Sequence, residues 1–428
     1  MTEENLPRIR DVPVENRGDA FLNKLRRCLE IVDFKRFIEH FKVKQSLFDV
    51  RQSGVASAEI LDMIETIFER DDILKELSDY VPTLESLSED AVCIIRKILR
   101  ANIFRPFPSP TAVVSEEENE SSMEFYGPGD KRPLVEGSWV HLQCIYEFFQ
   151  KIVDAGLLRD DHIDDSFITW FFNTAVEADD SREACFVADL LPSFWAKFPQ
   201  KQLAIWRTVR SNLSRFVCPD RQSYIPSAVS SLLRFVSDRI PEWSVPLQEE
   251  HTHFLRLVLI PMHKIKSYPY FSHWLQMCLV RFMEKDSSLV NLIFEGILSG
   301  DPTPSTSESC LLDELKYLMK FSTIKEINQP NAQLLFRRTA NGLRGSDVKV
   351  AKKALDIASF NRFLELAKLH KEASIPVMIL ALQNAVNYSR NSSVPIIAKH
   401  ILKKLYDVEK DVSWKLEDEE KKTKRTRI

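Results

Sequence analysis

The stretch VPLQEEHTHFLRLVLIPMHKIKSYPYF, residues 245–271, gathers three histidines (His251, His253 and His263), the adjacent carboxylates Glu249 and Glu250, and three Lys or Arg side chains. Imidazole and carboxylate are the ligands of zinc sites and the proton carriers of acid–base centres, so EEHTH is the first place to seek chemistry. Its spacing argues against both. On a helix over 248–260, His251 and His253 are two residues apart and point about 200° apart around the axis, so they cannot share an ion. Glu249 and His253, four apart, form an ordinary helical pair. His263 lies in or beyond the next turn, after Pro261. Pro246 and the two carboxylates instead match a helix N-terminus, where negative charge is favoured.

The other acidic cluster, RDDHIDD at 159–165, reads as a solvated loop between helices. The seven cysteines (Cys28, Cys93, Cys144, Cys185, Cys218, Cys278 and Cys310) are scattered, and none forms a Cys-x-x-Cys pair. Each stands among apolar neighbours in sequence, which predicts reduced core thiols in an intracellular protein. No phosphate-binding glycine loop, His-Glu-x-x-His or Gly-x-Ser-x-Gly pattern occurs. No catalytic residue, metal site or cofactor is expected.

The elements that would carry these residues are helical. The chain has 428 residues, 44% apolar and 28% charged, with a formal net charge of −4. That charge is unlike a nucleic-acid binder. Only 10 residues are glycine, far below the average of about 7%, which disfavours tight βα turns and many-stranded sheets. Apolar residues recur at three- and four-residue steps over 20–41, 57–78 and 88–103. The pattern resumes at 139–153 and continues through 162–178, 182–198, 202–217, 224–239, 248–260, 270–283, 288–298, 308–321, 329–343, 346–356, 359–370, 374–389 and 393–409. Residues 1–18 are expected to be a flexible N-terminus. The segment 105–137, rich in proline and containing the acidic run Glu116–Glu118, is expected to be a mobile loop, and 411–428 a charged flexible tail. Amphipathic helices with short connections and a pair period near 40 residues predict an all-α fold over 19–410, a helical solenoid of HEAT-like (armadillo-like) helix pairs. No apolar run approaches the ~18 residues of a membrane span, and such arrays commonly bind other proteins.

The same histidine-bearing stretch, followed by LVRFMEKDSSL (279–289), resembles the most recognisable segment of the B-prime family of regulatory subunits of protein phosphatase 2A. FLNKLRRCLEIVDF (21–34), ILRANIFRPFPSP (98–110), WVHLQCIYEFF (139–149) and DSREACF (180–186) follow in the family's order, with LLDEL (311–315) and VAKKALDI (350–357) as weaker echoes. The resemblance implies a solenoid without catalysis of its own. Its partners would be the phosphatase scaffold and catalytic subunits, with phosphoprotein substrates or adaptors, and neither nucleic acid nor membrane. It also implies a groove for Leu-x-x-Ile-x-Glu peptides.

Carried over position by position, that groove is degenerate. The family's His-Arg pair falls on Pro192 and Ser193, its Tyr on Trp195 and a further Arg on Gln202. A Glu-Ile pair falls on Ser231 and Leu232, an Ile on Val236, and a Lys on Gln248. His251 is retained. Trp195, Leu232, Val236 and His251 are thus the remaining groove candidates, with two arginines and one lysine replaced by Ser and Gln. Charge-assisted hydrogen bonds contribute about 1.5–3 kcal/mol each, so losing three should weaken acidic-peptide binding by tens- to hundreds-fold or more. Pro192 falls inside a helical segment and predicts a kink or break there. Three extra residues near PEWS (241–244) reshape the groove edge, and LSGDPTPSTSESC (298–310) departs from the family near its expected core-enzyme contact.

The resulting expectation is a non-catalytic regulatory subunit with altered substrate selection. The alternative is a solenoid adaptor for another protein that has lost phosphatase binding. A cytoplasmic location is expected, with the basic run KKTKRTR (421–427) as a candidate nuclear import signal.

Overall fold

The structure, a computed structural model, describes residues 6–30, 58–104, 139–178, 180–218, 226–300, 304–388 and 393–407. Among them no strand occurs, and no helix is long and apolar enough to cross a membrane. The chain divides into two units, Met1–Leu232 and Leu233–Ile428.

The first unit contains α1 (Arg17–Glu30), α2 (Ala58–Tyr80), α3 (Glu89–Asn102), α4 (Trp139–Asp154), α5 (Asp165–Glu177), α6 (Ser181–Asp189), α7 (Leu191–Lys197) and α8 (Gln202–Val217). Local chemistry sets their ends. Ser88 caps α3 by accepting from the Ala91 amide at 3.2 Å, and Asp164 caps α5 through the Phe167 amide at 2.6 Å. Gly156, at φ 69°, turns the chain out of α4 in the left-handed region that glycine tolerates. Neighbours in sequence pack together: α1 on α2 and α3, α2 on α4, and α5 on α6 and α8. Stacked and edge-on rings of Phe149, Phe167, Phe171 and Phe194 fill the space between α4, α5 and α7.

The second unit holds the end of α9 (Pro226–Arg239), then α10 (Glu249–Phe254), α11 (Tyr268–Lys285), α12 (Val290–Leu298), α13 (Ser305–Phe321), α14 (Gln329–Arg344), α15 (Val348–Ala358), α16 (Asn361–Leu369), α17 (Lys371–Tyr388) and a last helix, α18, at 393–407. Again contacts run to near neighbours: α11 to α13, α12 to α14, α13 to α15, and α14 to α15 and α17. Such neighbour-only packing is what an all-α solenoid of helix pairs requires.

Several expectations change. Residues 6–16 are not loose: Ile9 is fully buried, and its amide donates to Glu76 Oε1 at 2.6 Å. Glu76 also holds buried Lys24 at 2.7 Å, so one carboxylate ties the N-terminal turns and α1 to α2. The helix predicted over 182–198 is two helices meeting at Leu190, with Pro192 in the first turn of the second, where its missing N–H costs nothing. The helix predicted over 248–260 is α-helical only to Phe254 and continues as a π turn, Leu255–Leu259. Cys93 and Cys218 are exposed rather than core thiols, and all seven cysteines are unbridged. The expected loop at 105–137 and the tail at 411–428 lie outside the described residues.

Candidate functional site

Gln248 is extended at ψ 151° and precedes α10, whose first turn carries Glu249 and Glu250, as the sequence indicated. The helix sends the two histidines apart. His253 is exposed beside Glu249 at 3.5 Å, whereas His251 is buried. The ring of Trp243 stacks flat on His251, with centroids 3.8 Å apart and planes 2° from parallel. Trp243 also packs edge-on against Phe282, and its carbonyl accepts from Lys285 Nζ at 2.9 Å. The PEWS segment therefore lays an indole over His251, the histidine that the resemblance assigns to a peptide groove.

The third histidine belongs to a different cluster. The π turn ends where Ile260 donates to Leu255 O at 3.0 Å, and a 3-10 turn, Pro261–Lys264, then points His263 inward. His263 Nδ1 faces the Ile260 carbonyl at 2.7 Å, and Nε2 faces Glu314 at 3.2 Å. The backbone carbonyl accepts from Nδ1, and the carboxylate beside Nε2 favours the charged form of the ring. Burial, the largest single influence, opposes that charge; the Glu314 carboxylate and the Ile260 and Leu259 carbonyls together outweigh it and raise the His263 pKa above its ordinary value. The Tyr268 hydroxyl donates a short bond to the same carboxylate, and burial followed by Glu314 pushes its pKa well up. The sequence reading missed this triad, because Glu314 stands about 50 residues from its partners; only the landmarks PMHKIKS and LLDEL marked its two halves.

In the first unit Pro192 is exposed, Ser193 and Trp195 are half-buried, and Gln202 Nε2 donates to the Trp195 carbonyl at 3.0 Å. Gln202 thus braces α7 where the resemblance called for a cation. Ser231 is half-buried, and Leu232 is wholly buried. In the second unit Val236 is wholly buried and Gln248 is exposed. Leu232 and Val236, one turn apart on α9, present no surface to a ligand in this conformation; they are core residues. The structure brings Trp195 to Gln202 and His251 to Trp243.

RDDHIDD is a cross-linked loop. Arg159 binds Asp161 at 3.1 Å and Glu89 at 2.7 Å, and these exposed contacts hold both carboxylates below their usual pKa. Among the described residues, no three His, Cys, Asp or Glu side chains converge to hold a metal ion.

Paired helices stacked in this way form the class of all-α repeat arrays. The family this chain falls in is equally clear. The family model described as "Protein phosphatase 2A regulatory B subunit (B56 family)" matches residues 6–428, and the chain belongs to that family. The 56 kDa regulatory subunit delta isoform of protein phosphatase 2A from Oryctolagus cuniculus is 27% identical over 387 residues, covering 89% of this chain and 60% of the rabbit protein. The human delta isoform is also 27% identical, with 58% of its length covered. The B-prime gamma isoform of the 59 kDa regulatory subunit from Arabidopsis thaliana is 27% identical over 407 residues, covering 94% of this chain and 71% of the plant protein. The chain thus spans about three-fifths of the mammalian delta relatives. Family and relatives alike are named as regulatory rather than catalytic subunits.

Proposed function

We propose that this chain is a regulatory subunit of a protein phosphatase 2A holoenzyme. It docks on the scaffold and catalytic subunits and selects substrates or adaptors by rules that differ from Leu-x-x-Ile-x-Glu recognition. The observation that carries this reading is the family match over residues 6–428. The altered selection rests on four features. Ser193, Gln202 and Gln248 stand where the peptide-binding cations are expected. Gln202 is engaged with a backbone carbonyl. Leu232 and Val236 are buried, and His251 lies under Trp243.

Reconstitution with purified scaffold and catalytic subunits tests docking; co-elution as a ternary complex is the expected result, and a chain that elutes alone would sink the proposal. Titration of a Leu-x-x-Ile-x-Glu phosphopeptide then tests selection. Little or no binding is expected, and tight binding would refute the altered groove.

A second reading, an adaptor for another protein without phosphatase binding, is favoured by the divergence at 298–310. Under it the folded chain leaves core-enzyme activity and composition untouched. We also propose a cytoplasmic location with import directed by residues 421–427; unchanged nuclear exclusion of a tagged chain after fusion or removal of that run would contradict import.

A further inference from the structure

We propose that the outer face of α18 docks on the surface of an anionic membrane, with two isoleucines entering the headgroup region and lysines meeting the acidic headgroups. The family resemblance implied no membrane partner; the inference rests on this helix alone. One stripe seats α18 in the second unit: Val394, Ala398, Ile401, Leu402 and Leu405 recur at helical steps, and all are buried. Ile396 and Ile397 stand outside that stripe, side by side near the start of the helix, and are 71% and 41% exposed. Neither is needed to pack the helix. Tyr406, at the other end, is also exposed, and its hydroxyl accepts from Gln383 Nε2 of α17 at 3.1 Å.

Three lysines frame the isoleucines. Lys399 and Lys403 are exposed and one turn apart, Lys404 is half-buried, and none of the three pairs with a carboxylate among the described residues. The only acid on α18 is Asp407, exposed in the last turn, eleven residues or about 16 Å along the axis from Ile396. Three lysines less one aspartate leave two net positive charges on the helix. Its neighbours do not cancel them. Lys371 and Glu372 open α17 with opposite signs, and no charge follows from Ala373 to Tyr388. On α16, which packs on α17, Arg362 and Lys368 outnumber Glu365. Asp347 shares a cavity with Val394 and exposed Arg344, and it caps α15 through the Lys349 and Val350 amides at 2.7 and 3.2 Å. The exposed ring of His400 adds no negative charge.

Shape and chemistry together select the occupant. The exposed arc is the convex side of a single helix, whereas protein partners are held chiefly by anchor residues set in pockets. A fluid bilayer surface needs no pocket. It closes around apolar side chains, while lysine stems lie along it and their amines stay at headgroup level. Acidic headgroups then complement the two net charges. Nucleic acid fits less well, because α18 carries no arginine and no side-chain amide to grip phosphates or base edges. A second copy of this chain would set lysines against lysines, since a two-fold contact presents the same patch twice.

The test is co-sedimentation of the full chain with sucrose-loaded vesicles, made of phosphatidylcholine alone or with about 30% phosphatidylserine. No phosphatase subunit is needed. Each net charge near such a surface is worth roughly fivefold, so the anionic vesicles should bind about thirtyfold tighter at about 100 mM salt. The gap should shrink at about 500 mM. Lys399→Glu/Lys403→Glu should cut the preference at least about tenfold. Ile396→Ser/Ile397→Ser should weaken binding to the anionic vesicles at least about tenfold. All four side chains are exposed, so thermal unfolding should stay unchanged in both variants. Equal binding to the two kinds of vesicle overturns the proposal. So does a lysine variant that binds as the wild type does, which would assign the attraction to the basic run at 421–427. Loss in the lysine variant with full binding by the isoleucine variant also overturns it, because charge without insertion describes an acidic protein surface instead.

Discussion

The indole of Trp243 and the imidazole of His251 are held face to face across the loop between α9 and α10, with ring planes 2° from parallel. Trp243 comes from the PEWS segment; His251 comes from the motif that first suggested chemistry. Trp243→Ala should remove the stack and the contact with Phe282. Because Trp243 is half-buried, a loss of about 1–3 kcal/mol is expected, measured as a fall in the urea midpoint. An unchanged midpoint would mean that the stack is incidental.

The His263–Glu314–Tyr268 cluster makes stability depend on pH. The folded His263 pKa is raised above the ordinary value of 6.5, so folding binds the proton more tightly than the unfolded chain does. The stabilisation is fully present below about pH 6.5 and disappears as pH rises through the raised value. Denaturant titrations from pH 6 upward should therefore show the wild type losing stability. Glu314→Gln should be less stable at pH 6, by about 3–5 kcal/mol, and flatter with pH. A parallel decline in both proteins would exclude the cluster as its source.

Arg338 tests the buried ion pair of α13 and α14. Its guanidinium donates to both Glu308 oxygens, at 2.7 and 2.5 Å, and to the Gly300 carbonyl at 2.8 Å. Glu308→Ala should cost about 3–5 kcal/mol by leaving a buried cation unpaired. The double change Glu308→Leu/Arg338→Met should cost clearly less than the single one, as read by chemical denaturation.

Pro192 gives the opposite expectation. It occupies the first turn of α7, beyond the break at Leu190, and is exposed. Pro192→Ala should shift stability by no more than about 1 kcal/mol, whereas a proline inside a continuous helix would relieve about 3 kcal/mol on replacement. Thermal unfolding separates the two outcomes.

The helices and the break near Pro192 were legible in the sequence, because periodicity, caps and the missing amide of proline are local. The divergence of His251 and His253 was legible for the same reason. The polar core was not: Asp71 beside His141 and Glu183 bonded to Tyr146 unite residues 70 and 37 positions apart. Nothing in the sequence around either partner distinguishes a buried carboxylate from a solvated one. Leu232 and Val236 passed as groove floor because family resemblance identifies which residues correspond, while burial depends on how neighbouring helices close over them. The same limit hid Trp243, eight residues from the histidine it covers.

The π turn at Leu255–Leu259 has a consequence for how this segment tolerates change in length. A helix that closes its hydrogen bond over five residues holds one residue more than an α-helix needs. Ile260 donates to Leu255 across that surplus, and Leu257 within it is 68% exposed. Removing Leu257 would let the same two partners close an ordinary α turn, with the buried residues on either side still in phase. Elsewhere in these helices a single deletion would rotate every following side chain by about 100° and turn the core face outward. The segment just after the histidine motif is therefore a place where the chain can lose a residue and keep its fold.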